Sequence, residues 1–155
     1  MQQTNLTIIL TIIISMLLLT LFTAGAVRVI RSVRRNRRMG MMDEMEGHDF
    51  EYYCADLLEK QGFLEVEVTR GSGDFGVDIL AEKEGVTYAV QCKRYNGPVG
   101  VDAVLRTYAG RDYYGCMVGA VMTNQYFTAP AVDAAGKLHI LLWDRGYVDG
   151  LSEEE

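Results

Sequence analysis

Three polar side chains near the middle of the chain could carry out chemistry together: Asp78, Gln91 and Lys93. They interrupt two apolar runs, 77–82 and 86–92, that are rich in β-branched residues and bounded by glycine-containing turns, which is the pattern of a β-hairpin. A charge buried in a sheet costs several kcal/mol unless it is paired or coordinated. Such a cluster is therefore typical of a salt bridge, a metal site or a catalytic site.

The register of the hairpin determines whether these side chains meet. A two-residue loop at 84–85 places Asp78 directly opposite Gln91. Opposed residues of an antiparallel pair project from the same face, and Lys93 joins them because side chains alternate along a strand. We therefore expect an acid, an amide and an amine to converge at one end of the hairpin. The alternative is a simple Asp78–Lys93 ion pair at a strand end.

Several spaced motifs carry a resemblance to a known family. They read GHDFEYYCADLL, GSGDFGVDI, QCKRY, VMTNQYFT and LLWD, in that order, roughly between His48 and Asp144. The sequence resembles the Mrr-type restriction endonucleases, a branch of the PD-(D/E)XK nuclease superfamily in which the middle acidic residue is often Gln. This resemblance places Asp78, Gln91 and Lys93 at the family's catalytic positions.

The resemblance implies a divalent cation, Mg²⁺ or Mn²⁺, held by Asp78, by the amide oxygen of Gln91 and by the backbone carbonyl of Cys92. It also implies that the carboxylate of Glu51 joins directly or through water, although Glu51 could equally be a surface acid. Carboxylate and carbonyl oxygens are the ligands that Mg²⁺ prefers. Lys93 would orient or deprotonate the attacking water, or neutralise charge on the phosphate, because an ammonium can lose its proton when it is partly desolvated.

DNA is the expected partner, and Arg70, Arg94 and Tyr95 are the candidate contacts. The charge of the C-terminal part opposes a simple nuclease interpretation, since nine Lys and Arg face all 21 acids there, a net charge of −12. An acidic domain does not attract DNA over long distances. Binding would need a local basic strip or the arginines near the membrane. Asn124, in the loop after a buried strand, is interpreted as an ordinary polar loop residue, while the resemblance implies structural support or substrate contact.

The N-terminal segment predicts a membrane anchor. Residues 6–27 contain no charge and would span about 33 Å as a helix, enough to cross a bilayer. A cleaved signal peptide is the main alternative, but the preceding MQQTN carries no basic side chain and the apolar stretch is too long. We expect a single-pass transmembrane helix.

Six arginines between positions 28 and 38 indicate which side of the membrane the rest of the chain occupies. By the positive-inside rule they place the domain in the cytoplasm and the N-terminus outside, in a bacterial-type inner membrane. The same arginines could contact nucleic acid or anionic lipid. The predicted division is a transmembrane helix (6–27), a basic juxtamembrane segment and linker (28–42), a nuclease-like domain (43–149) and an acidic tail (150–155).

The periodicity of the domain predicts a mixed α/β fold. Helical spacing over 43–61, strands at 65–69, 77–82 and 86–92, a helix over 101–113, a buried strand at 116–123, a helix over 128–136 and a strand at 139–143 give the order αβββαβαβ. Such an order describes a sheet flanked by helices, and its first six elements match the restriction-endonuclease-like core.

Packing and cysteine chemistry follow from the same patterns. In the second helix of the domain, Val104, Leu105, Tyr108 and Ala109 are expected on the inner side. The three cysteines have no C-x-x-C spacing and lie in apolar runs, so buried thiols are expected. His48 and His139 are interpreted as structural or solvent-facing because they are isolated.

Two hypotheses of different classes remain open. The first is a membrane-anchored, metal-dependent DNA endonuclease. Cutting both strands would need two sites, which a homodimer paired through the anchor helix could supply. The second is a catalytically weak or inactive module of nuclease fold that binds DNA or a partner protein at the membrane, which Gln91 and the acidic charge favour.

Overall fold

The computed structural model describes residues 2–69 and 75–151. Its internal contacts divide the chain into two compact units, Met1–Arg38 and Met39–Glu155. The first helix, α1 (Gln2–Glu44), runs through the apolar stretch and the arginines and supplies the first residues of the second unit. The predicted linker therefore continues as helix up to Glu44.

Within the described residues, α1 alone is long and apolar enough to cross a membrane. The side chains of Leu17 and Phe22 are 60% and 74% exposed. Such large apolar side chains are normally covered in a water-soluble domain. Length and composition therefore make α1 a candidate membrane span.

The described residues of the second unit form nine further elements. They are α2 (Gly47–Lys60), β1 (Leu64–Val68), β2 (Ile79–Lys83), β3 (Val86–Lys93), α3 (Val101–Tyr114), β4 (Val118–Thr123), α4 (Ala129–Leu138), β5 (Ile140–Trp143) and α5 (Arg145–Leu151). The predicted order is confirmed, with α5 as an addition. The start predicted for the first domain helix is wrong. The helical conformation is interrupted at Glu46, whose backbone is extended, so Asp43 belongs to α1 and α2 begins at Gly47.

The five strands form one mixed sheet in the order β1-β2-β3-β4-β5. β1, β2 and β3 pair antiparallel, whereas β3, β4 and β5 are parallel. The predicted hairpin register is confirmed, since Lys83 pairs with Val86 and Ile79 pairs with Val90. Both loop residues have positive φ, 54° at Glu84 and 79° at Gly85, as a tight two-residue turn requires.

Helices cover both faces of the sheet and enclose two apolar cores. On one face α2 contributes Phe50, Cys54 and Leu58, which pack with Val90 and Cys92 of β3. On the other face α3 and α4 pack on β4 and β5 through a second cluster that includes Val104, Val121, Ala131 and Ile140. Cys54 and Cys92 are buried as predicted, while Cys116 is half-buried.

The predicted inner face of α3 is wrong for all but one residue. Val104 is buried, but Leu105 is 51% and Tyr108 37% exposed, and Ala109 is also exposed. The buried stripe consists of Ala103, Val104, Thr107 and Gly110. Small residues face the sheet because the helix approaches closely: a Cβ on Gly110 would lie 2.5 Å from Cγ2 of Val77 and 2.7 Å from the carbonyl oxygen of Phe75.

Candidate active site

Asp78 lies immediately before β2 and joins both neighbouring strands through its backbone. Its N–H donates to the carbonyl of Val90 at 2.8 Å, and its own carbonyl accepts from the N–H of Thr69 at 2.9 Å. Its side chain turns to β3, where Oδ2 accepts the backbone N–H of Cys92 at 2.7 Å. The carboxylate is therefore held against the backbone between Gln91 and Lys93.

A second carboxylate, that of Glu51, lies on α2 one turn before Cys54, which packs in the same core cluster as Cys92. Its side chain is 22% exposed, and its Oε2 is 2.9 Å from Nδ1 of His48. The pKa of the Cys92 thiol is raised well above its usual range by a hydrogen bond with Cys54 and by burial, and the charges of Asp78 and Glu51 raise it further. Glu51 and Asp78 are therefore both near enough to Cys92 for their charges to act on its thiol.

Gln91 is buried, with 1% exposure, and is oriented towards α3. Its amide oxygen accepts a long hydrogen bond, 3.4 Å, from the hydroxyl of Thr107. A Cβ on Gly76 would lie 3.2 Å from its amide nitrogen. The amide is therefore enclosed between α3 and the turn before β2, whereas the thiol of Cys92 packs on the α2 side.

Lys93 is the last residue of β3 and is half-buried. Its carbonyl accepts the hydroxyl of Thr123, in the neighbouring strand, at 2.6 Å. Among residues 2–69 and 75–151 its ammonium forms no ion pair. By strand alternation Lys93 shares a face with Gln91.

The predicted DNA contacts have different environments. Arg70 lies outside the described residues. Arg94 is occupied internally, since Nη2 donates to the carbonyl of Asp43 at 2.6 Å and Nη1 donates to Oδ1 of Asn96 at 3.1 Å. Tyr95 is 48% exposed and accessible to a ligand.

Two residues near the site make contacts that the sequence did not specify. Asn124, interpreted as a polar loop residue, is fully buried and hydrogen-bonds both the N–H and the carbonyl of Tyr95, at 2.9 and 3.0 Å. Its position directly after a continuous apolar strand was the available signal. His48, interpreted as isolated, contacts Glu51, and the three-residue helical spacing between them could have predicted this contact.

The donor set is compatible with a hard divalent cation. The described residues contain no group of three or more His, Cys, Asp or Glu side chains that could hold a metal ion. Asp78 and Glu51 supply two carboxylates, so further ligands would have to be amide or backbone oxygens, or water. Mg²⁺ commonly keeps several waters and uses only one or two carboxylates, which matches this composition.

Comparison with known proteins assigns a family. The restriction endonuclease family Mrr_cat matches residues 42–150, which is more than half of the chain. A search of curated proteins finds no match. Three solved structures share the fold: the protein of unknown function AF1548 (28% identity, TM-score 0.57), the MspJI restriction endonuclease in complex with a 27-mer oligonucleotide (19%, 0.56) and the DNA modification-dependent restriction endonuclease AspBHI (19%, 0.53).

These matches cover 66%, 78% and 80% of this chain, respectively. The chain spans 60% of the AF1548 structure and about a third of the two restriction endonucleases, namely 30% and 34%. The likeness therefore concerns only part of each of these chains. At 19% identity the two endonucleases show a common fold.

Proposed function

Because this chain belongs to the restriction endonuclease family, we propose that it is a metal-dependent DNA endonuclease attached to a membrane by α1. The observation that supports the proposal best is the hydrogen bond that the Asp78 carboxylate accepts from the backbone N–H of Cys92. The charge of Glu51 acts on the same residue. These residues lie inside the segment that matches the family. The neighbouring MspJI structure contains an oligonucleotide, which supports DNA as the substrate.

Asp78, Glu51, the carbonyl of Cys92 and the amide oxygen of Gln91 would hold the cation. When bound, a divalent cation polarises the scissile phosphate and lowers the pKa of a bound water. The hydrogen bond from the N–H of Cys92 fixes the direction of the Asp78 carboxylate.

Lys93 supplies the positive group of the proposed site. Lys93 is the last residue of β3, the strand that also carries Gln91. An ammonium at this position would orient the attacking water, accept its proton after losing its own, or neutralise charge on the phosphate. Tyr95, two residues beyond, is exposed enough to contact the DNA backbone or a base.

The membrane attachment rests on α1 and its arginines. The helix has the length and composition of a membrane span. The arginines at 28–38 follow the apolar stretch, which favours a cytoplasmic location for the domain. They would also add positive charge to a chain whose domain has a net charge of −12.

A specific observation favours the second candidate, a non-catalytic module that binds DNA or a partner protein. Gln91 is neutral, and its amide oxygen already accepts the Thr107 hydroxyl. An amide attracts a cation less strongly than a carboxylate does. The two candidates differ in cleavage, so a cleavage assay separates them.

The test uses the full chain in detergent with supercoiled plasmid and Mg²⁺. We expect nicking that EDTA abolishes, and we expect Asp78→Asn and Lys93→Met to lower the rate by more than about a hundredfold, since even outer-shell changes cost ten- to a hundredfold. Glu67→Gln is the matched control, because Glu67 is an exposed carboxylate on β1. Undiminished cleavage by Asp78→Asn would exclude the proposed mechanism, and no cleavage by the parent chain would favour the binding module.

A further inference from the structure

The loops that follow β3, β4 and β5 meet at one edge of the sheet because these three strands are parallel. Asn124 lies in the loop after β4 and is fully buried. Its amide binds both backbone groups of Tyr95, in the loop after β3, and its Nδ2 also donates to Oδ1 of Asp43 at 2.8 Å. One side chain therefore fixes the backbone two residues beyond Lys93.

Asp43, in the last turn of α1, connects the same loops through charge. Arg145, which follows β5, donates to it twice, from Nη1 to Oδ1 at 2.7 Å and from Nη2 to Oδ2 at 2.9 Å. The backbone carbonyl of Asp43 accepts Nη2 of Arg94 at 2.6 Å. Arg145 also donates to the carbonyls of Asn124, at 2.7 Å, and of Met39, at 3.3 Å.

We propose that Asp43, Asn124 and Arg145 are positioning residues that fix the end of β3, and with it Lys93, for the proposed hydrolysis of DNA. This inference rests on the proposed function. None of the three has to touch the cation or the substrate, because they act through the backbone of Tyr95 and the guanidinium of Arg94. The backbone around Lys93 is then fixed at two places. The carbonyl of Lys93 accepts the Thr123 hydroxyl, and the backbone of Tyr95 binds Asn124.

The form of the network favours positioning over stability alone. Partly buried ion pairs add little net stability compared with apolar packing, because desolvation offsets the attraction between the charges. The network instead fixes geometry. The bidentate ion pair between Asp43 and Arg145 and the fully hydrogen-bonded amide of Asn124 determine the positions of the loops after β3, β4 and β5. Lysine has a long, flexible side chain, so the place of its ammonium depends on a fixed backbone.

The test compares Asp43→Ala and Asn124→Ala with the parent full chain in detergent, by hydrogen exchange, cleavage rate and Mn²⁺-dependent thermal stabilisation. We expect amide hydrogen exchange over 94–97 to become at least about tenfold faster, because a hydrogen-bonded amide exchanges only when the local structure opens. We expect the cleavage rate to fall by about ten- to a hundredfold, as for a small misplacement of a reacting group. The Mn²⁺ concentration that gives half-maximal stabilisation should not change, because the network holds Lys93 rather than the cation ligands.

Ile140→Val is the control, because it weakens the core cluster on the α3 and α4 face without touching the network. Unchanged exchange over 94–97 in Asp43→Ala would overturn the proposal, as would an equal loss of cleavage in Ile140→Val at matched thermal stability. If Asn124→Ala does not fold, Asp43→Asn and Arg145→Lys take its place with the same expected direction. A parent chain that cleaves nothing would contradict the proposed function instead, and the exchange measurement alone would then show whether the network holds the end of β3.

Discussion

The Asp43 carboxylate lies beside two guanidinium groups, those of Arg145 and Arg94. The hydrogen bond from Arg145 lowers the pKa of this carboxyl below its ordinary value of 3.8; partial burial opposes the shift, and Asn124 and the charges of Arg145 and Arg94 add to it. In the unfolded chain these partners are lost. The native state therefore binds a proton at Asp43 less readily than the unfolded state does.

The sign of the pH dependence follows. A carboxyl with a lowered native pKa contributes stability above about pH 4, and that contribution is lost as the pH falls through the native value. We expect Asp43→Asn to cost about 1 kcal/mol at pH 7, a modest figure because water screens a carboxylate that is 39% exposed. The difference from the parent should shrink as the pH falls below about 4.

Chemical unfolding of both chains between pH 7 and about 3 measures this difference. Asp133→Asn serves as the control, because Asp133 forms an exposed ion pair with Lys137 in which both side chains are more than two-thirds exposed. That variant should lie near the parent at every pH. A constant gap between Asp43→Asn and the parent across the whole range would contradict the assigned ion pair.

At the scale of single site residues, the sequence could supply types and spacing but not partners. The sequence around Asp78 and Lys93 identified both as candidate site residues, and the two-residue loop predicted the correct hairpin register. Residue spacing could not predict that the Asp78 carboxylate accepts the N–H of Cys92. It also could not predict that the Gln91 amide oxygen accepts the hydroxyl of Thr107 in α3. Those contacts depend on how helices pack on the sheet, which is a tertiary property.

At the scale of elements, α3 shows how close packing is encoded by small side chains. Gly110 faces the turn before β2 with no room for a methyl group. The buried face of the helix also carries Ala103 and Thr107, both of them compact side chains. The prediction from large apolar residues failed because Leu105 and Tyr108 occupy the outer face.

A pair of glycine substitutions tests this packing. Gly110→Ala should destabilise the fold by about 1–3 kcal/mol, because an added methyl overpacks a contact with backbone and Val77. Gly136→Ala in α4, where nothing lies within 4 Å of an added Cβ, should stabilise by up to about 1 kcal/mol through helix propensity. Thermal or chemical unfolding of both variants gives the two signs, and a stabilised Gly110→Ala chain would show that α3 packs less closely than described.

Element type and order were predictable because local signals agreed with the fold. Gly115, at φ 66°, ends α3 in the left-handed conformation, and the Thr128 hydroxyl caps α4 by accepting from the N–H of Ala131. Both residue types are common at these helix ends. The start of α2 was not predictable from periodicity. Asp43 lies in the last turn of α1, where its carboxylate binds Arg145, a contact that no local pattern shows.

At the scale of the whole molecule, α1 and its arginines set the expected arrangement in the membrane. We predict that the chain remains in the membrane fraction after an alkaline wash and that protease added to spheroplasts leaves residues 47–151 intact. Replacement of the arginines at 28–38 by alanine should allow part of the population to insert in the opposite orientation. Release of the parent chain by the alkaline wash would contradict a spanning helix.

The central claim is that Asp78 and its neighbours form a cation site for DNA cleavage, and anomalous diffraction from crystals of the full chain grown with Mn²⁺ tests it most directly. We expect one anomalous peak near the carbonyl of Cys92 and within about 2–2.5 Å of an Asp78 carboxylate oxygen. This distance is the range of metal–oxygen bonds for hard cations. The same peak should be missing from Asp78→Asn crystals. A peak elsewhere, or none at millimolar Mn²⁺, would contradict the account and leave a nuclease fold that serves only to bind.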